Sequence, residues 1–492
     1  MRKARTIVLT AGAGALSAAL VAAMATTAPA ATRPATTAGP VIHVKPGIKI
    51  LSQAKALSTP WTTALCEANL GISCWDPNQV RAAYNEAPLF HQGITGKGST
   101  IVIVDSFGSP TIQNDLHVFD AQFGYPDPPS FRIATPAGPV PTWDPNNSDM
   151  TGWAGETTLD VEYAHTIAPG ANILLVETPD AETEGVTGFP NIVKAELAVL
   201  DHPARYGIKG KATVISQSFS ATEETFTNFR QLAPLRAAYV DAARKGVSVL
   251  AATGDDGATS ATLDGSEFYT TPVTGWPSTD PLVTAVGGTQ IKQSAAGKFS
   301  QVVWNDTFDV PLQQAFTGTN GPNPFSTGGG VSEFFKLPAY QAGVARTIAA
   351  AVGKPKARAL PRAVPDISMS GACDGAVTMY YSFPGGVTGW HLVCGTSEAT
   401  PLFSGVVALA AQAAHHNLGL VNPRLYWLLA HHARGLVDVT SGNNTAAFAQ
   451  GDPAQNFTVT GYSAKRGYDL ASGVGTLNAA LFVPELAGRS HF

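Results

Sequence analysis

The run Thr100-Ile-Val-Ile-Val104 constrains this chain more than any other stretch. Every residue in it is β-branched, and no polar side alternates with an apolar one. Such a run predicts a strand buried on both faces, as in a parallel sheet. Helical patterning follows over 111–123, and then a long polar, Pro-rich loop to Trp153. Beyond it the pattern predicts a helix over about 155–167, a strand at 172–177, a helix over about 192–200 and a strand at 212–218. A helix over roughly 224–245 and a strand at 247–252 complete the series. This order predicts an α/β fold, a doubly wound parallel sheet flanked by helices. Ligands in such sheets bind beyond the carboxyl ends of the strands. Chemistry is therefore expected on the loops that open at Asp105, Ser218 and Thr253.

Composition narrows the partners. The chain is 44% hydrophobic, enough for a sizeable core, and only 14% charged, with a net charge of -5. It has no basic cluster and no interleaving of aromatic with basic residues, so no nucleic-acid partner is expected. A basic start, Met1-Arg-Lys-Ala-Arg5, precedes an uncharged Ala/Val/Leu run from Thr6 to Met24 and the small-residue site Ala28-Pro-Ala30. Residues 1–30 read as a signal peptide, the alternative being a membrane anchor. The expectation is a secreted, extracellular protein with no stable membrane association after signal removal. Residues 31–74 read as a short pro-segment or N-terminal extension, and 75–492 as the main domain. At its start Asp76-Pro-Asn-Gln has the form of a capped helix with Pro in the first turn. Export makes disulfides the expected state of Cys66, Cys74, Cys373 and Cys394. Of three possible pairings, the two local ones are the economical choice.

Three elements carry candidate chemistry. Cys394-Gly-Thr-Ser-Glu-Ala-Thr-Pro401 reads as a loop feeding a buried helix, Leu402 to Ala414. Ser397 there is either a helix cap or a nucleophile near backbone N–H groups. Glu156 and Asp160 are four residues apart and share a helix face, where like charges repel unless they share a proton. Thr253-Gly-Asp-Asp-Gly257 follows a predicted strand directly, and alone it is a plain Asp-Gly turn.

Taken together, over roughly 75–485, these segments resemble the sedolisin family, serine-carboxyl peptidases with a subtilisin-like fold. The GTSxxxP signature stands as Gly395–Pro401, ExxxD as Glu156 and Asp160, and GDxG as Gly254–Gly257. The VGGT, GGGVS and VPD segments follow in the family's order. The resemblance implies Ser397 as nucleophile, Glu156 as general base, Asp160 as its partner and Asp255 as oxyanion donor. A carboxyl donates a hydrogen bond only when protonated, so activity at acid pH is implied. The segment Ile215–Ser220 matches the substrate-binding edge, with Ser216, Ser218 and Phe219 as contacts. A structural calcium ion (Ca2+) is implied near the C-terminus, held by the side chains of Asp438 and Asp469 and the carbonyls of Val439, Lys465 and Gly467. The partner expected is a protein or peptide substrate, and the enzyme is expected to act as a monomer, in endopeptidase or tripeptidyl-peptidase mode.

Three features depart from that pattern. The roughly 45 residues between Ala31 and Asp76 are too few for the family's large folded pro-domain. Glu398 follows the nucleophile and would set a charge beside the oxyanion. Asp256 doubles the acid of the GDxG loop. Two rival readings remain: a subtilisin-type Ser-His-Asp enzyme, for which Asp105 suits the triad but the His-bearing helix start is absent and His165 lies nine residues beyond Glu156, and a catalytically impaired binding protein on the same fold.

Overall fold

The computed structural model describes residues 49–50, 56–317, 321–353 and 359–489. The expected signal peptide and most of the N-terminal extension lie outside these residues. The β-branched run lies in a strand, Thr100–Ser106, that is buried throughout. Its side chains alternate between two cores. Ile101 and Ile103 join the cluster that contains Leu402, Phe403 and Val406, while Val102 and Val104 join Phe189, Ile192 and Trp276. Both faces are thus covered by helices, and this is why the run shows no polar period.

The main sheet has the order Phe299–Val303, Thr284–Gln293, Ser248–Ala252, Val214–Gln217, Thr100–Ser106, Asn172–Thr178, Phe131–Ala134. All of its pairings are parallel except that of Phe299–Val303, and Ile367–Ser370 adds parallel to Thr284–Gln293. Thr100–Ser106 is the strand from which the winding proceeds both ways, so the topology places a ligand site past its carboxyl end at Asp105. A second sheet joins Lys49–Ile50, Gly389–Cys394, Ala376–Tyr381 and Cys74–Trp75. Both local disulfides are present, Cys66–Cys74 and Cys373–Cys394.

Several element bounds differ from expectation. The helix expected from 155 runs Ser148–Ile167, because Asn147 caps it, accepting from the N–H groups of Asp149 and Met150. The long loop before it hides the edge strand Phe131–Ala134, which is mostly exposed and so lacks an apolar signature. The helix expected over 224–245 is broken into Phe229–Leu232, a 3-10 turn at Ala233–Arg236, and Ala237–Lys245. Pro234 has no N–H to continue it. At Asp76 the capped start is as expected, with Gln79 completing a capping box.

Two buried helices cross beneath the crevice, Ser148–Ile167 and Thr396–Ala414. Gly405 sits at their contact. A Cβ there would lie 2.5 Å from Ile167 Cβ, so only a residue without a side chain lets the backbones approach this closely.

Candidate active site

The helix that carries Ser397 begins at Thr396, so the expected loop through Pro401 is in fact the helix's opening turns. Its cap is Gly395, at φ +135°, a conformation that residues with a Cβ rarely adopt. Gly395 is tied to the Gly371 carbonyl at 2.9 Å, and the Cys373–Cys394 bridge anchors the strand that delivers it. Ser397 is therefore not a cap. Its residue is fully buried, and Oγ makes no hydrogen bond to any described residue.

Pro401 has a particular consequence. In a regular helix the N–H of residue 401 would bond the carbonyl of Ser397. Proline has no N–H, and the Ser218 hydroxyl lies 3.3 Å from that carbonyl instead. The same hydroxyl lies 2.7 Å from Asp160 Oδ1. One hydroxyl proton serves one acceptor well. Both contacts are satisfied when Asp160 is protonated and donates to Ser218, which in turn donates to Ser397.

The acidic residues meet at this point. Glu156, Asp160 and Asp105 are all fully buried. Desolvation pushes the Asp160 carboxyl well above the ordinary range, and the nearby charges of Asp105 and Glu156 push it further. Asp105 rises too, through burial, with the Thr157 hydroxyl opposing. Like charges crowded in a dry crevice hold protons, and the hydroxyl geometry at Ser218 fits a neutral Asp160.

Asp255 approaches from the other side. Its Oδ1 accepts from both the N–H and the hydroxyl of Thr396, each at 2.7 Å, one residue before the serine. Its Oδ2 is buried and has no hydrogen-bond partner among the described residues. Burial raises this carboxyl to about 7, with Lys49 opposing. A proton on Oδ2 leaves Oδ1 free to accept, so the neutral group is also a fixed donor.

Glu398 is fully buried, and the helix turns it away from Ser397 by the usual 100° step. Its carboxyl lies beside the Ser370 hydroxyl, and desolvation holds it well above the ordinary range. At acid pH it is neutral, so the charge expected beside the oxyanion is not there.

Other expected contacts are distributed as follows. Val214–Gln217 is laddered on both sides, with Ser216 opposite Ile103 and Leu250. No edge of that stretch is open to a peptide, which corrects the expectation for Ser216. Ser218 and Phe219 lie beyond the ladder. The Ser218 hydroxyl serves Asp160, and the Phe219 ring packs on Trp153 and Phe189. The C-terminal acids converge on one loop: Asp438 accepts from Gly467 N–H, and Asp469 Oδ2 from Lys465 N–H at 2.8 Å. Asp469 Oδ1 accepts from the N–H groups of Ala471 and Ser472. No group of three or more His, Cys, Asp or Glu side chains placed to hold a metal ion occurs among the described residues.

The Ser-His-Asp rival fails on geometry. His165 Nε2 lies 2.8 Å from the Pro126 carbonyl and 3.3 Å from Asp120, at the far end of the helix from Glu156. The residues that sequence reasoning did not place at the site are Thr396, as the clamp on Asp255, and Lys49. The first stood inside the GTS signature. The second carried no signal.

A parallel sheet of this winding, with a serine in the first turn of a buried helix and carboxyls on the neighbouring strand ends, defines a subtilisin-like α/β protein. A model of the subtilase family matches residues 145–453. Kumamolisin from Bacillus sp. (strain MN-32) is 31% identical over 405 residues, 82% of this chain and 62% of the relative. Sedolisin from Pseudomonas sp. (strain 101) is 28% identical over 388 residues, 78% and 57% of the two chains. Tripeptidyl-peptidase 1 from Homo sapiens is 27% identical over 339 residues, 66% and 51%. The solved structure of Pseudomonas sedolisin, a serine-carboxyl proteinase complexed with two molecules of pseudo-iodotyrostatin, superposes with a TM-score of 0.63. It is 23% identical and covers 85% of this chain and 99% of that one. The chain belongs to the subtilase family and, within it, to the sedolisins. It spans about half to three-fifths of the length of the curated relatives it matches.

Proposed function

We propose that the protein is a peptidase that hydrolyses peptide bonds at acid pH. Ser397 Oγ attacks the carbonyl carbon, and Glu156 takes its proton. Asp160 supports Glu156 and shares the proton load. Asp255, neutral, donates from Oδ2 to the oxyanion. Glu156 then returns the proton to the leaving amine, and water, activated by the same carboxylate, releases the acyl group. The observation that carries the reading is Asp255, clamped by Thr396 one residue before the nucleophile.

The pH window follows from the groups. The base must be ionised, so protonation of Glu156 sets the acid limb. The donor must be neutral, and Asp255 loses its proton at about 7. Activity is therefore expected to fall above neutrality. Removal of one oxyanion donor costs ~10²–10³ in rate. Asp255→Ala is expected to lower kcat by that factor at pH 4 and, because the Thr396 N–H and hydroxyl lose their acceptor, to lower Tm by a few degrees without preventing folding. A rate that instead peaks at pH 8 in the wild type would sink the carboxyl mechanism.

Substrate is proposed to lie along the segment that begins at Ser218, by strand addition. The two disulfides support a secreted protein working in an oxidising compartment. Calcium takes hard oxygen donors, and the C-terminal loop supplies two carboxylates, Asp438 and Asp469, which backbone N–H groups of the same loop hold in place. Asp438 and Asp469 would hold the ion with the carbonyls of Val439, Lys465 and Gly467, and it would clamp the loop to the core. Calcium at millimolar concentration is expected to raise Tm over chelator-treated protein, and Asp438→Ala to abolish the difference. A Tm indifferent to calcium in the wild type removes the ion from the proposal.

A further inference from the structure

The short strand Lys49–Ile50 lies antiparallel against the last strand before the serine helix, with Lys49 opposite Cys394 and Ile50 opposite Val393. This pairing fixes where the Lys49 side chain starts. Its ammonium reaches Asp256 Oδ1 at 3.1 Å and lies over the Phe325 ring, 4.3 Å from the centroid. Asp256 bridges to Ser326, whose N–H donates to the Asp255 carbonyl. A cation from the start of the described chain is thus held on the Gly254–Gly257 loop. The Lys49 and Asp256 side chains are 20% and 22% exposed, so water screens the pair only in part.

On the peptidase reading above, we propose that Lys49 sets the alkaline limit of catalysis by holding its charge on the oxyanion loop through Asp256. The charged groups that bear on Asp255 are Lys49, from the N-terminal strand, and Asp256, from its own loop. Burial raises the Asp255 carboxyl, Lys49 lowers it, and Asp256 raises it. The protonated form is the one that can donate. Lys49 therefore shortens the pH range over which the donor exists, and Asp256 lengthens it. Lys49 acts through Asp255 and is a positioning residue.

The test is kcat/KM against pH on the secreted chain, its N-terminus read by mass spectrometry. Lys49→Met is expected to move the alkaline limb upward by roughly half a unit to one unit, a three- to tenfold gain on that flank. The acid limb should stay where it is. Asp256→Asn leaves the ammonium uncompensated and is expected to move the alkaline limb downward. Lys49→Arg should keep the wild-type limb. A merely loosened loop lowers rates without moving the limb in opposite senses. Should Lys49→Met not fold, the direction for Asp256→Asn decides alone. The proposal is overturned by limbs that coincide with wild type in both variants, or that move the same way. It is also overturned by a mature chain that begins after Ile50. Full activity in a Ser397→Ala control would instead overturn the peptidase reading itself, and this proposal with it.

Discussion

Alanine at Ser397 should lower kcat on a denatured protein substrate at pH 4 by about 10⁴- to 10⁶-fold, the range for serine nucleophiles that act with a base. The protein should still fold, because Ser397 Oγ makes no hydrogen bond to any described residue. The backbone carbonyl that Ser218 contacts is kept in the variant. Glu156→Gln should cost a comparable factor. The double variant should be little worse than either single one, since nucleophile and base act as a unit. Titration with a serine-directed covalent reagent, alongside single-turnover kinetics, separates lost chemistry from lost binding. Retention of more than a tenth of wild-type kcat by Ser397→Ala would place the nucleophile elsewhere.

The second large effect concerns stability rather than rate. Burial pushes Glu86 and Glu196 up to about 8, and in Glu86 this holds although Arg81 lies 4.0 Å away. Asp306 rises to about 7 by the same cause. In the unfolded chain these groups titrate near ~4. Below that pH both states carry the protons, and the groups add no pH dependence. Above it the unfolded chain releases protons first, so stability falls until the folded values are passed. Each such group removes about 1.4 kcal/mol per pH unit over that window. Glu86 and Glu196 therefore both lower stability as pH rises from 5 towards 8. Calorimetry is expected to give the highest Tm at pH 3–5 and a loss on the order of 10 °C by pH 8. Glu86→Gln and Glu196→Gln should flatten the slope. A Tm maximum near pH 8 would mean that these carboxyls ionise without cost.

The interior strands could be read from sequence because β-branched runs buried on both faces have no competing explanation. Helix bounds could not, where a single capping side chain such as Asn147 added two turns or a proline such as Pro234 broke a period. Ser397 was ambiguous on its own residue, since a serine before an apolar helix caps it more often than it reacts. The structure removes the cap reading by setting the cap two residues earlier, at Gly395. The burial of Glu398 could not be read, because sequence proximity to Ser397 says nothing about which side of a helix a residue faces. The Ser218 link needed Pro401, 183 residues away in the chain, to leave a carbonyl without its donor. Lys49 was beyond reach for a similar reason, as its partner Asp256 is 207 residues distant. Contacts of that span leave no local pattern.

Gly405 has a consequence for how such a protein can diversify. The two rods that carry Ser397 and Glu156 touch at Gly405 and Ile167, about two turns below the serine. The spacing of Ser397 and Glu156 is therefore inherited from the interior and not from the rim. Loops at the mouth other than Gly254–Gly257 can be shortened, lengthened or shuffled in a laboratory evolution experiment without disturbing that spacing. Preference for substrate and competence for reaction can then be selected as separate traits.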